Sequence, residues 1–214
     1  MIDIGFYMKV HELKQRLLCG ESFTRQEVFD MFSSYRNRDP VIYNIETTNL
    51  CNMRCEMCPR TTMMTRANEE LPMSVFKKVV DQLRPWAKEE WETWQNFVEN
   101  KYGIDRTGMS ENHFFLYVIP QVIQLHGYGA PLLDKRILER VKYLNEKGFL
   151  SYFSCNPSNI GIGKEGIERD LSMFENGLNY IKYSIESVDD ILHKQIRGKA
   201  SNFTAAYEKI LYLL

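Results

Sequence analysis

VIYNIETTNLCNMRCEMCPR, residues 41–60, sets a strand-like pattern directly before a cluster of thiols. Val41 to Thr48 alternate, with Ile42 and the polar Asn44, Glu46 and Thr48 on one face, and predict a strand. Cys51, Cys55 and Cys58 follow with the spacing C-x3-C-x2-C, on what would be the loop at that strand's C-terminal end. Thiolates are the ligands of iron–sulfur clusters, and a 4Fe–4S cube normally takes four of them. Three on one loop can bind three irons and leave the fourth open to a small molecule, as an open position makes a zinc site catalytic. The other metal reading is structural zinc, with His126 or His113 as fourth ligand. Such sites usually pair one C-x2-C with a second pair downstream, and this chain has no second pair.

Working outward, the pattern after Pro40 repeats as strand, loop, helix. Val75, Phe76, Val79, Val80 and Leu83 recur at helix spacing before Pro85. Val122 to His126 reads as a strand, and Asp134 is placed to cap a helix through Ile137, Leu138, Val141 and Leu144 that closes at Gly148. Leu150 to Cys155 predicts a strand; Ile167, Leu171 and Phe174 mark a helix ending at Asn176-Gly177; Leu178 to Ile185 predicts another strand. Ser201 is the expected cap of a last helix through Phe203, Tyr207, Ile210 and Leu214. About four strand–helix units in a row imply an α/β protein with a parallel sheet, barrel-like or open, and a site at the C-terminal strand ends.

Two segments break this rhythm. Residues 1–38 predict a helical cap, with Val10, Leu13 and Leu17 on one face and a Thr24–Glu27 capping box; Cys19 falls between the helices as a small buried or partly exposed residue. About residues 86–112, Trp86, Trp91, Trp94 and Phe97 lie among Glu and Lys and predict an inserted amphipathic helix whose tryptophans pack on the domain. The core is then residues 39–214. The longest apolar run, Phe114 to Pro120, fits a buried strand.

The 214 residues suffice for a sizeable core, and 44% hydrophobic with 26% charged residues is ordinary for a soluble globular protein. A net charge of −1 without a basic run recommends neither a nucleic-acid nor an anionic-membrane partner. No apolar stretch is long enough to span a bilayer, and MIDIGFYMKV lacks the pattern of a signal peptide, so the expectation is a cytosolic protein. Five cysteines, three of them clustered, do not form a secreted disulfide framework. Leu214 falls within helix-like sequence, which leads us to expect a longer chain and an incomplete core.

At CNMRCEMCPR the sequence resembles the radical S-adenosylmethionine superfamily, and in particular its SPASM/Twitch-type subgroup, in which Met57 replaces the usual aromatic residue before the last cysteine. The resemblance covers roughly Val41 to Leu214. It implies a partial (β/α) barrel, a 4Fe–4S cluster on Cys51, Cys55 and Cys58, and S-adenosylmethionine on the open iron. Gly127, Tyr128, Gly129, Ala130 and Pro131 are similar to the family's G-G-E-P turn, whose backbone contacts the cofactor's amino group; Ala130 stands where Glu is usual. Ser154 and Asn156, on the face of their strand opposite Phe153 and Cys155, and Ser184 and Glu186 match polar cofactor contacts, so Cys155 is expected to pack under helices. Arg197 is similar to an arginine that pairs with the methionyl carboxylate. His126, Gln124 and Glu46 are expected to point inward without an assigned role. The resemblance also implies a peptide or small sugar-like substrate and a reductant such as a flavodoxin or ferredoxin. A cluster-binding fragment without turnover and a zinc-stabilised interaction domain are the competing readings.

Overall fold

The computed structural model describes residues 1–159 and 163–213. In chain order the elements are α1 (Ile4–Leu18), α2 (Arg25–Tyr35), α3 (Pro59–Met63), α4 (Met73–Val80), α5 (Lys88–Tyr102), α6 (Glu111–His113) running into a π-helical turn (Phe114–Val118), β1 (Val122–Gln124), α7 (Ile137–Glu146), β2 (Leu150–Cys155), α8 (Gly163–Glu175), β3 (Leu178–Tyr183), α9 (Asp190–Arg197) and α10 (Phe203–Leu213). They form two compact units: Met1–Tyr43 with Gln82–Val122, and Asn44–Asp81 with Ile123–Leu214. The expected helix markers Ile167 and Leu214 lie outside the residues whose side chains are described.

In the first unit the Thr24–Glu27 capping box forms as expected and starts α2. Cys19 ends α1 and is exposed. Ile4 of α1, Trp94 and Val98 of α5, and Tyr117 make the core, with Trp86, Trp91 and Phe97 packed against it. Two buried polar tips find carbonyls: Trp94 Nε1 donates to Leu116 O at 2.7 Å and the Tyr117 hydroxyl to Ile104 O at 2.6 Å. The expected strand at Phe114–Pro120 is instead a π-helical turn. Ser110 Oγ accepts from the His113 amide at 3.1 Å and starts a helix, and the Ile119 amide donates back to Phe114 O at 3.1 Å. A short apolar run carries no period of its own, so the cap ahead of it decides the conformation.

The second unit carries an open sheet of order β1-β2-β3. β2 and β3 are parallel, with Tyr152 opposite Tyr180 and Cys155 opposite Tyr183. The expected first strand, Val41–Thr48, is reduced to two isolated bridges, a parallel one between Asn44 and Gln124, with the Ile45 amide donating to Gln124 O at 2.8 Å, and an antiparallel one between Thr48 and Glu70. Its polar side chains take over the pairing groups: Asn44 Nδ2 donates to His126 O, and Thr48 Oγ1 donates to Glu69 O at 3.1 Å while accepting from the Leu50 amide at 3.0 Å.

α4 packs on α7, burying Met73, Phe76 and Val80 on one helix and Ile137, Val141 and Leu144 on the other. Asp134 does not cap α7 as the sequence suggested. Arg136 occupies that position, and the Asp134 carboxylate pairs at 2.8 Å with the fully buried Arg140, because a buried guanidinium requires an anion beside it. Likewise Ser201 is not the cap of α10. Asn202 Oδ1 accepts from the Ala205 amide at 2.9 Å, while the buried Ser201 hydroxyl lies 3.3 Å from Asn156 Nδ2. No helix among the described residues is long and apolar enough to cross a membrane.

Candidate functional site

The strand ends of the second unit open on one cleft of about 370 Å³. It is lined by Cys51, Met53, Cys55, Met57, Cys58 and Pro59 from the first loop and His126 to Ala130 from the second. Ser154 to Asn156, Ser184 and Arg197 complete it. The thiol loop, His126 to Ala130 and Ser184 follow the bridged segment at Asn44, β1 and β3, Ser154 to Asn156 lie at the end of β2, and Arg197 is the last residue of α9, so the sheet delivers all but Arg197 to one edge.

The thiol loop is held by its own backbone and by the end of α9. The Cys58 amide donates to Cys55 O at 3.1 Å, and the Glu56 amide donates to Ile196 O at 2.9 Å. Cys55 Sγ lies 3.5 Å from Arg197 O and 3.9 Å from Arg197 Nη1. The Met53 amide donates to Cys51 Sγ at 3.4 Å. Burial pushes the Cys51 thiol up. The Met53 amide and Arg60 draw it down, while negative charge on Cys55 and Cys58 pushes it up further. Among the described residues no three His, Cys, Asp or Glu side chains converge on a single metal-ion position. A cube places each thiolate on its own iron, so its ligands need not meet at one point. The donor set, three free thiols on the wall of one cleft, fits a cluster with an open iron.

In the same cleft, the Gly127–Pro131 turn is drawn against the segment before Cys51. The Ala130 amide donates to Leu50 O at 2.7 Å. A Cβ at Gly129 would strike the Thr48 carbonyl, and one at Gly127 the Glu46 side chain. Pro131 is buried, begins a tight turn and is not among the lining residues. Ser154 Oγ and Ser184 Oγ are 3.2 Å apart. Asn156 is tied down by the Ser158 amide, which donates to its Oδ1 at 2.8 Å. Arg197 forms an ion pair with Glu186, and Glu186 is not a lining residue.

Cys155 is buried but also lines the cleft, contrary to the alternation that assigned it to the other face. It is the last residue of β2, where strand alternation gives way to a turn. His126 was left without a role by the sequence and stands in the lining. The Ser154 amide donates to its Nδ1 at 3.2 Å, and burial lowers its pKa, both of which favour the neutral ring. His113, the other histidine weighed as a zinc ligand, belongs to the first unit, where its Nε2 bonds Arg106 O at 2.9 Å.

The family model of the Radical SAM superfamily matches residues 45–213. Among solved structures, the chain is similar to BtrN in complex with AdoMet and 2-DOIA, at 17% identity and a TM-score of 0.41, covering 67% of this chain and 46% of that one. Streptococcus suis SuiB bound to S-adenosylmethionine matches at 11% identity and a TM-score of 0.45, over 97% of this chain and 42% of that one. TYW1 with a lysine-pyruvate adduct bound matches at 19% identity and a TM-score of 0.39, over 77% of this chain and 47% of that one. The chain thus spans less than half the length of each of these structures. No curated protein sequence matches it significantly.

Proposed function

The chain belongs to the radical S-adenosylmethionine superfamily, whose cofactors are a 4Fe–4S cluster and S-adenosylmethionine, and on that premise we propose that Cys51, Cys55 and Cys58 hold the cluster of an enzyme acting on a peptide side chain or a sugar-like metabolite. The observation that carries the proposal is the meeting of these three thiols with the Gly127–Ala130 turn in one cleft. When bound, the cluster and S-adenosylmethionine supply reductive carbon–sulfur cleavage and a 5′-deoxyadenosyl radical that abstracts hydrogen from the substrate.

The chain's own residues bind, orient and shield. Gly127 and Gly129 lie close against Glu46 and Thr48, and with the Tyr128 and Ala130 amides tied to Glu46 and Leu50, the turn's remaining backbone groups are the contacts for an amino-acid group. Arg197, beside Cys55 and balanced by Glu186, is placed for a carboxylate. Ser154, Ser184 and Asn156 offer hydroxyl and amide groups for a ribose. Met53, Met57 and Pro59 bring apolar surface around the thiols and limit water there. The reading includes a small-protein reductant such as a flavodoxin or ferredoxin, and a cytosolic location without a nucleic-acid or membrane partner.

Anaerobic reconstitution with iron and sulfide, followed by reductant and S-adenosylmethionine, tests the proposal. The expected result is 5′-deoxyadenosine from the wild type and none from Cys51→Ser, Cys55→Ser or Cys58→Ser. A cluster-loaded wild type that forms no 5′-deoxyadenosine would remove the enzymatic reading.

A further inference from the structure

We infer that Glu46 and Arg66 are positioning residues that hold the Gly127–Ala130 turn in the shape that receives S-adenosylmethionine. The inference rests on the functional reading above and adds to it two side chains, neither of which lines the cleft.

The geometry is specific. Glu46 Oε2 accepts from the Tyr128 amide at 2.8 Å, and Glu46 Oε1 pairs with Arg66 Nη2 at 2.7 Å. Arg66 also lies over the Tyr128 ring, 5.6 Å from its centroid. The turn is stitched to the segment before Cys51 at three places: Tyr128 on Glu46, Gly129 on Thr48, and Ala130 on Leu50. The last two use backbone alone. Only the first depends on a side chain, and it fixes the residue between the two glycines. Glu46 precedes the thiol loop and Arg66 follows it, so this pair ties the segments on both sides of the loop to the turn. Both oxygens of Glu46 are engaged in these contacts, so the carboxylate acts by placing the turn. Arg66 is more than half exposed, so its own pairing contributes less than the Glu46–amide bond.

The experiment compares the full chain with Glu46→Ala, Glu46→Gln and Arg66→Ala. Amide hydrogen exchange at Tyr128 is read without cofactor, and S-adenosylmethionine affinity is read from the perturbed spectrum of the reduced cluster. Iron and sulfide contents are expected to stay at the wild-type level. Glu46→Ala is expected to weaken cofactor affinity roughly tenfold or more and to speed Tyr128 exchange, as loss of a charge-assisted bond implies. Glu46→Gln keeps an acceptor for the Tyr128 amide and should recover some of the affinity. Arg66→Ala should fall between wild type and Glu46→Ala, and it covers the case in which Glu46→Ala does not fold. Wild-type affinity in Glu46→Ala, or in Arg66→Ala where that variant stands in, overturns the inference even if exchange changes. A wild-type cluster that never responds to S-adenosylmethionine would instead remove the functional reading beneath it.

Discussion

Gly129 shows how little room single residues have at this site. Its α-carbon lies so close to the Thr48 carbonyl that a methyl group would overlap backbone, which cannot rotate away as a side chain would. Gly129→Ala is therefore expected to displace the turn and weaken S-adenosylmethionine binding by roughly an order of magnitude or more, with iron content unchanged. A cofactor titration of the loaded variant measures this, and wild-type affinity would refute it. The sequence made this residue legible because glycines beside Pro131 mark a turn. It gave no sign that Glu46, about eighty positions earlier in the chain, would be the turn's side-chain anchor. Contacts of that separation depend on the register of the sheet, which no local pattern states.

Among elements, those with a strong period were readable and those governed by polar side chains were not. Leu150–Cys155 is a strand over the span its alternation marked. Val41–Thr48 alternates as well, yet Asn44 and Thr48 spend their side chains on backbone groups that would have continued a ladder. Asp134 and Ser201 looked like caps, but each is buried with a polar partner, Arg140 and Asn156 respectively, supplied by tertiary packing. The Arg140–Asp134 pair lies where α4 meets α7, with the guanidinium 5.1 Å from the centre of the Phe76 ring. Arg140→Ala would leave Asp134 as an uncompensated buried charge and is expected to cost about 3–5 kcal/mol by urea unfolding.

α9 carries a second such strain. His193 is fully buried, and among the described residues neither ring nitrogen has a hydrogen-bond partner. Burial, then the Arg197 charge, lowers its pKa, while Glu186 and Asp190 oppose the shift. The unfolded chain therefore binds a proton that the folded chain refuses, so stability falls as pH drops below the ordinary histidine value of about 6.5. His193→Leu removes that term. The difference between urea midpoints at about pH 7.5 and about pH 5.5 should be smaller in the variant than in the wild type. An equal difference would contradict the assignment.

Over the whole molecule, one unit holds β2, β3, all of β1 but Val122, and every lining residue of the cleft, while the other builds an aromatic core around Trp94. The superfamily's partial (β/α) barrel is present as an open sheet of three strands with one bridged segment beside it. The three thiols were legible from their spacing because that chemistry is written locally, whereas the cofactor role of the Gly127–Pro131 turn came only through the family resemblance. Cys155 and His126 entered the cleft through the way the strand ends gather, which composition does not record.

The most direct test is Mössbauer spectroscopy of the anaerobically reconstituted full chain, before and after S-adenosylmethionine. The account predicts a four-iron cluster in which one iron, the one without a cysteine, changes its signal when the cofactor is added. A spectrum of mononuclear iron, or a cube whose irons are all indifferent to the cofactor, would contradict it.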